Sequence, residues 1–239
     1  MKLITYIILF TSLNAFSNVA DSLFAVGNYH YDNEAYQKAI ESYLTIESDE
    51  HANAVYHNLG NCYYQTGNII KSILFYERAL LLKNDSQTQE NLNIAKKRIQ
   101  EIESIPKLFF IGWWNSIAQF LNYNSWLILN CIFIWICCIL FFLFLKNRQK
   151  RIFNLFLTVI VFTILLVLVS QRSNNLSRKT YAIIMNKTAI HSNATDLKIK
   201  QIITPGNKVE IINSKNNFYL VVFPNGESGW LSQSDLEVI

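Results

Sequence analysis

The side chains of this 239-residue chain best suited to nucleophilic, acid–base or metal chemistry are four histidines and four cysteines. They are His30, His51, His57 and His191, and Cys62, Cys131, Cys137 and Cys138. Their spacing assembles none of these chemistries. No histidine stands in H-E-x-x-H, which would set two ligands and a base on one helix face, and no G-x-S-x-G occurs to expose a serine nucleophile. There is no C-x-x-C pair or Cys/His cluster for a zinc or redox centre. With only 7 Gly and neither G-x-G-x-x-G nor G-x-x-x-x-G-K-[ST], the backbone cradle that nucleotide phosphates need is also missing. The sequence therefore predicts no enzyme activity, no metal and no cofactor, and points to recognition.

The elements that would carry recognition sort themselves by hydropathy and charge. Apolar residues make up 51% of the chain and the mean hydropathy is +0.17, too high for an ordinary soluble protein. The net charge of +4 is unevenly placed. Residues 18–107 carry eight Lys/Arg against twelve Asp/Glu and residues 180–239 carry five of each, so neither has the basic face that nucleic acid requires. The excess lies in Lys2, Lys146, Arg148, Lys150, Arg151, Arg172, Arg178 and Lys179, which flank apolar runs, and no acidic residue occurs between Glu103 and Asp196. Such flanks meet anionic lipid.

Residues 1–17 read as an export signal: Lys2, an apolar run from Leu3 to Leu13, and Ala15-Phe16-Ser17 before Asn18. Residues 126–145 and 152–170 are uncharged and near the ~20 residues that cross a bilayer, so two transmembrane helices are expected. The connection 146–151 holds four positive charges, which predicts a cytoplasmic loop, with both soluble parts outside the cytosol. Cys131, Cys137 and Cys138 fall in the first span as small apolar side chains. Ahead of it, residues 106–125 are crowded with aromatics, including Trp113 and Trp114, and Trp126 opens the span. These three tryptophans are expected at the membrane interface, where an apolar ring with a polar edge is favoured, or else on a docking surface.

Residues 18–105 contain a repeat of period 33. Gly27-Asn28 recurs as Gly60-Asn61, Tyr31 as Tyr64, and Ala39-Ile40-x-x-Tyr43 as Ser72-Ile73-x-x-Tyr76. Gly60 leaves room for a second helix, Gly67 supplies a turn, and Tyr76 and Ala79 pack back. Lone Cys62 is expected buried on a helix. Residues 87–105, with Leu92, Ala95, Ile99 and Ile102 at helical spacing, read as a capping helix. Tyr56, Leu59, Gly60, Tyr63, Gly67, Tyr76 and Ala79 make this pattern resemble the tetratricopeptide repeat. The first unit matches less well, with Glu34 where the turn glycine would stand. The resemblance implies an all-α solenoid whose first helices line a groove for partner proteins, formed by Phe24, Asn28, Tyr31, His57, Asn61, Tyr64 and Gln65. Asn28 and Asn61 are its leading candidates, since an amide both donates to and accepts from a peptide backbone. On that reading Asn61→Ala weakens capture without harming the fold, whereas Gly60→Leu forces the helices apart.

From residue 181 the helical period gives way to short β-branched runs separated by Pro205-Gly206, Asn213–Asn217 and Pro224-Asn225-Gly226. Residues 181–239 are thus expected to form a small all-β barrel of about five strands. Gly229-Trp230-Leu231 makes it resemble a bacterial SH3 domain, with Trp230 plugging the core. The whole order resembles the BatE family of the bacterial aerotolerance (Bat) operon: signal, repeats, aromatic segment, hairpin and SH3-like barrel. That resemblance implies a two-pass inner-membrane protein with both soluble domains in the periplasm. Its implied partners are membrane-anchored von Willebrand A proteins and a MoxR-type ATPase. The function expected is a non-enzymatic scaffold in a stress-related membrane complex; the alternative is an envelope sensor whose SH3-like domain binds peptidoglycan.

Overall fold

The computed structural model describes residues 19–46, 51–99, 109–193 and 199–239. The expected signal at 1–17, the start of the aromatic segment (106–108) and the end of the capping segment (100–105) lie outside the described residues. The chain divides into two compact units. One comprises the described residues of Met1–Ser104 together with Thr180–Ile239, and the other those of Ile105–Lys179.

The first unit opens with α1 over residues 19–32, followed by α2 (Tyr36–Leu44), α3 (Ala52–Gln65), α4 (Ile69–Leu82) and α5 (Ser86–Lys96). Local chemistry sets the boundaries. The Asn68 side chain accepts from the Lys71 N–H at the start of α4, and Asp85 accepts from the Thr88 N–H at the start of α5, meeting donors that have no partner within the helix. The α3–α4 turn has Gly67 at φ +81, and 33 residues earlier Glu34 takes the same left-handed conformation at φ +58. Both N–H groups bond one helical turn back, Glu34 to the Tyr31 carbonyl and Gly67 to that of Tyr64. The missing glycine therefore leaves the turn intact and strains it instead. Glu34→Gly is expected to stabilise the protein by about 0.5–1 kcal/mol, the left-handed penalty less the entropy of the more flexible unfolded chain, read as an upward shift of the thermal midpoint.

The helices share a core built on the repeated positions: Ala39, Ile40 and Tyr43 from α2, Leu59 and Cys62 from α3, Ile73, Tyr76 and Ala79 from α4, and Leu92 and Ala95 from α5. Burial pushes the Cys62 thiol up to about 12, so it is inert as a nucleophile.

Among its described residues the same unit holds seven antiparallel strands: β1 (Thr180–Ile184), β2 (Thr188–His191), β3 (Ile199–Ile203), β4 (Lys208–Lys215), β5 (Phe218–Val222), β6 (Ser228–Ser232) and β7 (Leu236–Val238). Their order in the sheet is β3-β2-β6-β5-β4-β1-β7. The inner face contributes Ala182, Ile184, Ile190, Ile203, Val209, Val221, Phe223, Leu231 and Leu236 to one cluster. Trp230 is not among them, which corrects its expected role as the core plug. Successive strand residues point to opposite faces, and because Gly229 and Leu231 are the buried residues of β6, Trp230 lies half-exposed on the other face.

The sheet is joined to the helices. Ile183 belongs to the helical core cluster, with Met185 and Ile239 packed against it, and Gly206 lies against Ile70 and Ile99. Glu77 on α4 is 5% exposed and receives Lys208 from β4 at 2.6 Å and Lys96 from α5 at 3.1 Å. Arg78 donates to Glu237 at 2.8 Å and to the Val238 carbonyl at 3.1 Å. Helices α4 and α5 and the C-terminal sheet thus belong to one folded unit.

The second unit comprises α6 (Phe109–Phe120), α7 (Tyr123–Asn147) and α8 (Lys150–Ser177). α7 and α8 are long and apolar enough to cross a membrane, and only 6% and 11% of their most apolar windows are buried by protein. They pack against each other as a hairpin. The basic connection, expected over 146–151, is a turn of Arg148 and Gln149 between helix ends, with Arg148 in the left-handed conformation at φ +52. In the hairpin interior, Asn130 of α7 donates to the Trp126 carbonyl at 2.9 Å and to Ser170 of α8 at 3.3 Å, a polar tie of the kind that joins helices where water is absent.

Candidate protein-binding groove

The two repeats are fastened by the same three-helix device, used twice. Tyr43 Oη donates to Asn28 Oδ1 at 2.7 Å, and Asn58 Nδ2 donates to the same oxygen at 3.1 Å, tying α2 and α3 to α1. Displaced by 33 residues, Tyr76 Oη donates to Asn61 Oδ1 at 2.7 Å and Asn91 Nδ2 at 3.0 Å, tying α4 and α5 to α3. Gly27 and Gly60 admit the tyrosine rings, because a Cβ at either would collide with Tyr43 or Tyr76. Burial pushes the Tyr43 hydroxyl up to about 12 and raises that of Tyr76 further, so both remain protonated donors at physiological pH.

This device changes the expectation for Asn61. Its oxygen is committed to a tyrosine that is 2% exposed, and leaving a buried hydroxyl unpartnered costs about 1–3 kcal/mol. Asn61→Ala therefore disturbs the fold as well as the groove surface.

A cleft of about 280 Å³ opens beside this second device, lined by Tyr31, Asn61, Tyr64, Gln65, Tyr76, Gln87, Asn91 and Ile94. Of the expected groove residues it brings together Tyr31, Asn61, Tyr64 and Gln65. Phe24, Asn28 and His57 do not line it. Phe24 stacks on His51 at 5.3 Å, and Asn28 is enclosed in the first device. His57 Nδ1 lies 2.8 Å from Thr88 Oγ1, whose proton goes to Asp85 Oδ2 at 2.8 Å. The hydroxyl has one proton to give, so His57 Nδ1 carries the hydrogen of its own bond. Burial lowers the His57 pKa and keeps the ring neutral. Hydrogen bonds from the backbone and side chain of Thr88 hold Asp85 below the ordinary carboxylate range.

The lining is uncharged throughout. Its amides offer donors and acceptors on either side of phenolic rings, and Arg98 stands over the outer ring, Tyr64, at 4.8 Å. Burial raises the Tyr31 hydroxyl, so no anion forms at that end at neutral pH. Gln87, Asn91 and Ile94 were missed because α5 reads as a cap from its apolar spacing. Carrying the 33-residue period one step beyond Asn58 reaches Asn91, which was the available signal.

Of the tryptophans expected at a membrane or docking surface, Trp113 is 66% exposed and Trp114 is half-buried. Trp126 is 7% exposed, packed with Ala118, Leu166 and Val169, and donates its Nε1 hydrogen to the Ala118 carbonyl at 3.1 Å. The short α6–α7 corner folds this indole inward, where its one donor finds a carbonyl. On the sheet, Trp230 stands opposite Leu220 of β5 and His191 of β2, with His191 edge-on to Phe218 at 5.6 Å. Among the described residues no group of three or more His, Cys, Asp or Glu could hold a metal ion.

Residues 54–86 match the tetratricopeptide-repeat family model, which spans α3 and α4 and the turn between them. The repeat is a protein-interaction module. No curated protein matches the chain.

Proposed function

We propose that the protein is a non-enzymatic, two-pass scaffold of a bacterial inner membrane that captures partner proteins through the repeat cleft. The observation that carries this reading is the uncharged, amide-rich cleft on a tetratricopeptide unit, formed by Asn61, Gln65, Gln87 and Asn91 between tyrosines. Such a lining matches the neutral donors and acceptors of a peptide backbone. Membrane attachment rests on α7 and α8. The joint between α4, α5 and the sheet supports placing both soluble portions on one side, because the segment between the joined pieces must leave and return to the same face. The basic Lys146–Arg151 cluster favours a cytosolic turn, and with an export signal at 1–17 the folded body lies in the periplasm. The resemblance to the BatE family supplies the finer proposal: a place in an aerotolerance or stress-related complex, with membrane-anchored von Willebrand A proteins as partners alongside a MoxR-type ATPase.

Crosslinking followed by purification of the full chain from membranes tests the capture. Gln65→Ala with Gln87→Ala is expected to reduce recovered partner about tenfold while leaving the far-ultraviolet circular dichroism unchanged. Equal recovery from a folded double variant would remove the groove from the account. One observation favours the alternative, an envelope sensor binding peptidoglycan through the SH3-like sheet: Trp230 lies half-exposed outside the core, and an exposed indole face stacks on sugar rings. Retention of the protein on purified peptidoglycan, abolished by Trp230→Ala, would select that reading.

A further inference from the structure

Among the described residues, one guanidinium of the second unit has no anionic partner. Arg172 is half-buried on α8, just beyond the apolar stretch of that helix. Its Nε donates to Asn115 Oδ1 of α6 at 2.9 Å, a neutral acceptor that fixes the side chain without cancelling its charge. No Asp or Glu occurs between Glu103 and Asp196, so no carboxylate exists anywhere in this unit to pair with it. A guanidinium has five N–H donors, and among the described residues only Nε has a hydrogen-bond partner.

Arg172 also lines a cleft of about 490 Å³ whose other walls are Phe110, Ile111, Trp113 and Trp114. Phe110 and Trp113 are exposed, at 51% and 66%. The cleft is thus apolar and aromatic with one cationic corner. It joins α6 to the end of a helix that reads as a membrane span, at the depth where headgroups meet acyl chains.

We propose that this cleft binds one anionic phospholipid, its phosphate held by the Arg172 guanidinium and the upper part of an acyl chain lying against Phe110, Trp113 and Trp114. Charge complementarity fixes the class. The phosphate completes the guanidinium with charge-assisted hydrogen bonds, while an ethanolamine or choline headgroup brings a cation for which this unit has no carboxylate. A headgroup with net negative charge, such as phosphatidylglycerol, brings no such cation. Asn115 is a positioning residue, holding the guanidinium toward the headgroup layer by the bond to Nε.

Native mass spectrometry of the full-length protein in detergent tests the site, with phosphatidylglycerol, phosphatidylethanolamine or glycerol 3-phosphate added at equal concentration. The wild type is expected to retain one phosphatidylglycerol, at least about fivefold over phosphatidylethanolamine, with little retention of glycerol 3-phosphate. Arg172→Gln should abolish the headgroup preference, and Trp113→Ala should weaken retention while keeping it. Arg178→Gln, whose guanidinium bonds Asn174 within α8, should behave as wild type. Equal retention of both phospholipids by the wild type overturns the proposal, whether or not Arg172→Gln folds. So does an unchanged preference in a folded Arg172→Gln variant. Retention of glycerol 3-phosphate as strong as that of the lipid would reassign the cleft to a soluble phosphate and overturn the lipid reading.

Discussion

Gly60→Leu is expected to unfold the helical repeat. The position faces the Tyr76 ring so closely that even a Cβ has no room, and Tyr76 cannot retreat because its hydroxyl is bonded to Asn61 and its ring is 2% exposed. Overpacking a well-packed site costs about 1–3 kcal/mol and more where neighbours cannot move, a large part of a domain's net stability. Urea unfolding followed at 222 nm should show the midpoint collapse. Gly112→Leu is the control, since nothing lies within 4 Å of a Cβ built there. Tyr76→Ala in the Gly60→Leu background should recover part of the loss, as expected of two residues that contend for one volume. A wild-type midpoint for Gly60→Leu would mean that α3 and α4 are not in close contact at this point.

The second large effect is expected at Glu77, where one buried carboxylate accepts lysines from α5 and β4. Its side chain is 7% exposed, and those of Lys96 and Lys208 are 20% and 27% exposed. Glu77→Ala leaves two partly buried ammonium groups facing each other, and breaking a buried ion pair on one side costs about 3 kcal/mol. The consequence extends beyond stability, because Glu77 and Arg78 are the polar links between α4 and the sheet. A thermal melt that is a single transition in the wild type should split into two in Glu77→Ala. Lys208→Met keeps the Lys96 pair and should lose less. An unchanged single transition in Glu77→Ala would show that the apolar contacts of Ile183, Met185 and Ile239 suffice to hold the sheet.

The repeat, the two long apolar helices and the β-rich C-terminal portion were legible because each rests on a period: 33 residues, an uncharged run of span length, and alternation with turn signals. What escaped was decided by contacts between segments far apart in sequence. The pairing of Glu77 with Lys208 joins residues 131 apart, and no local pattern encodes it. Trp230 was misplaced because its type argued for burial while its register did not: Gly229 and Leu231 occupy the inner face of β6, and strand alternation leaves the indole outside. Trp126 shows the reverse: its type argues for a membrane interface, and the corner after α6 packs its ring against Ala118, Leu166 and Val169. Glu34 stands where the first repeat lacks its turn glycine, yet the chain holds a left-handed glutamate there, its N–H bonded to the Tyr31 carbonyl. For the cleft, the period located Asn61, Tyr64 and Gln65, but it could not reveal that the amide oxygens of Asn28 and Asn61 are already spent on tyrosines.

The claim on which the account depends is that the two soluble portions form one body outside the cytosol, held by a hairpin whose turn is inside. Single cysteines placed at Asn33, Asn216 and Gln149, in a chain whose four native cysteines are replaced by alanine, test it with a membrane-impermeant maleimide on intact spheroplasts. The account predicts labelling at Asn33 and Asn216 without permeabilisation, and at Gln149 only after it. Labelling of Asn33 and Asn216 from opposite sides, or of Gln149 from outside, would contradict it.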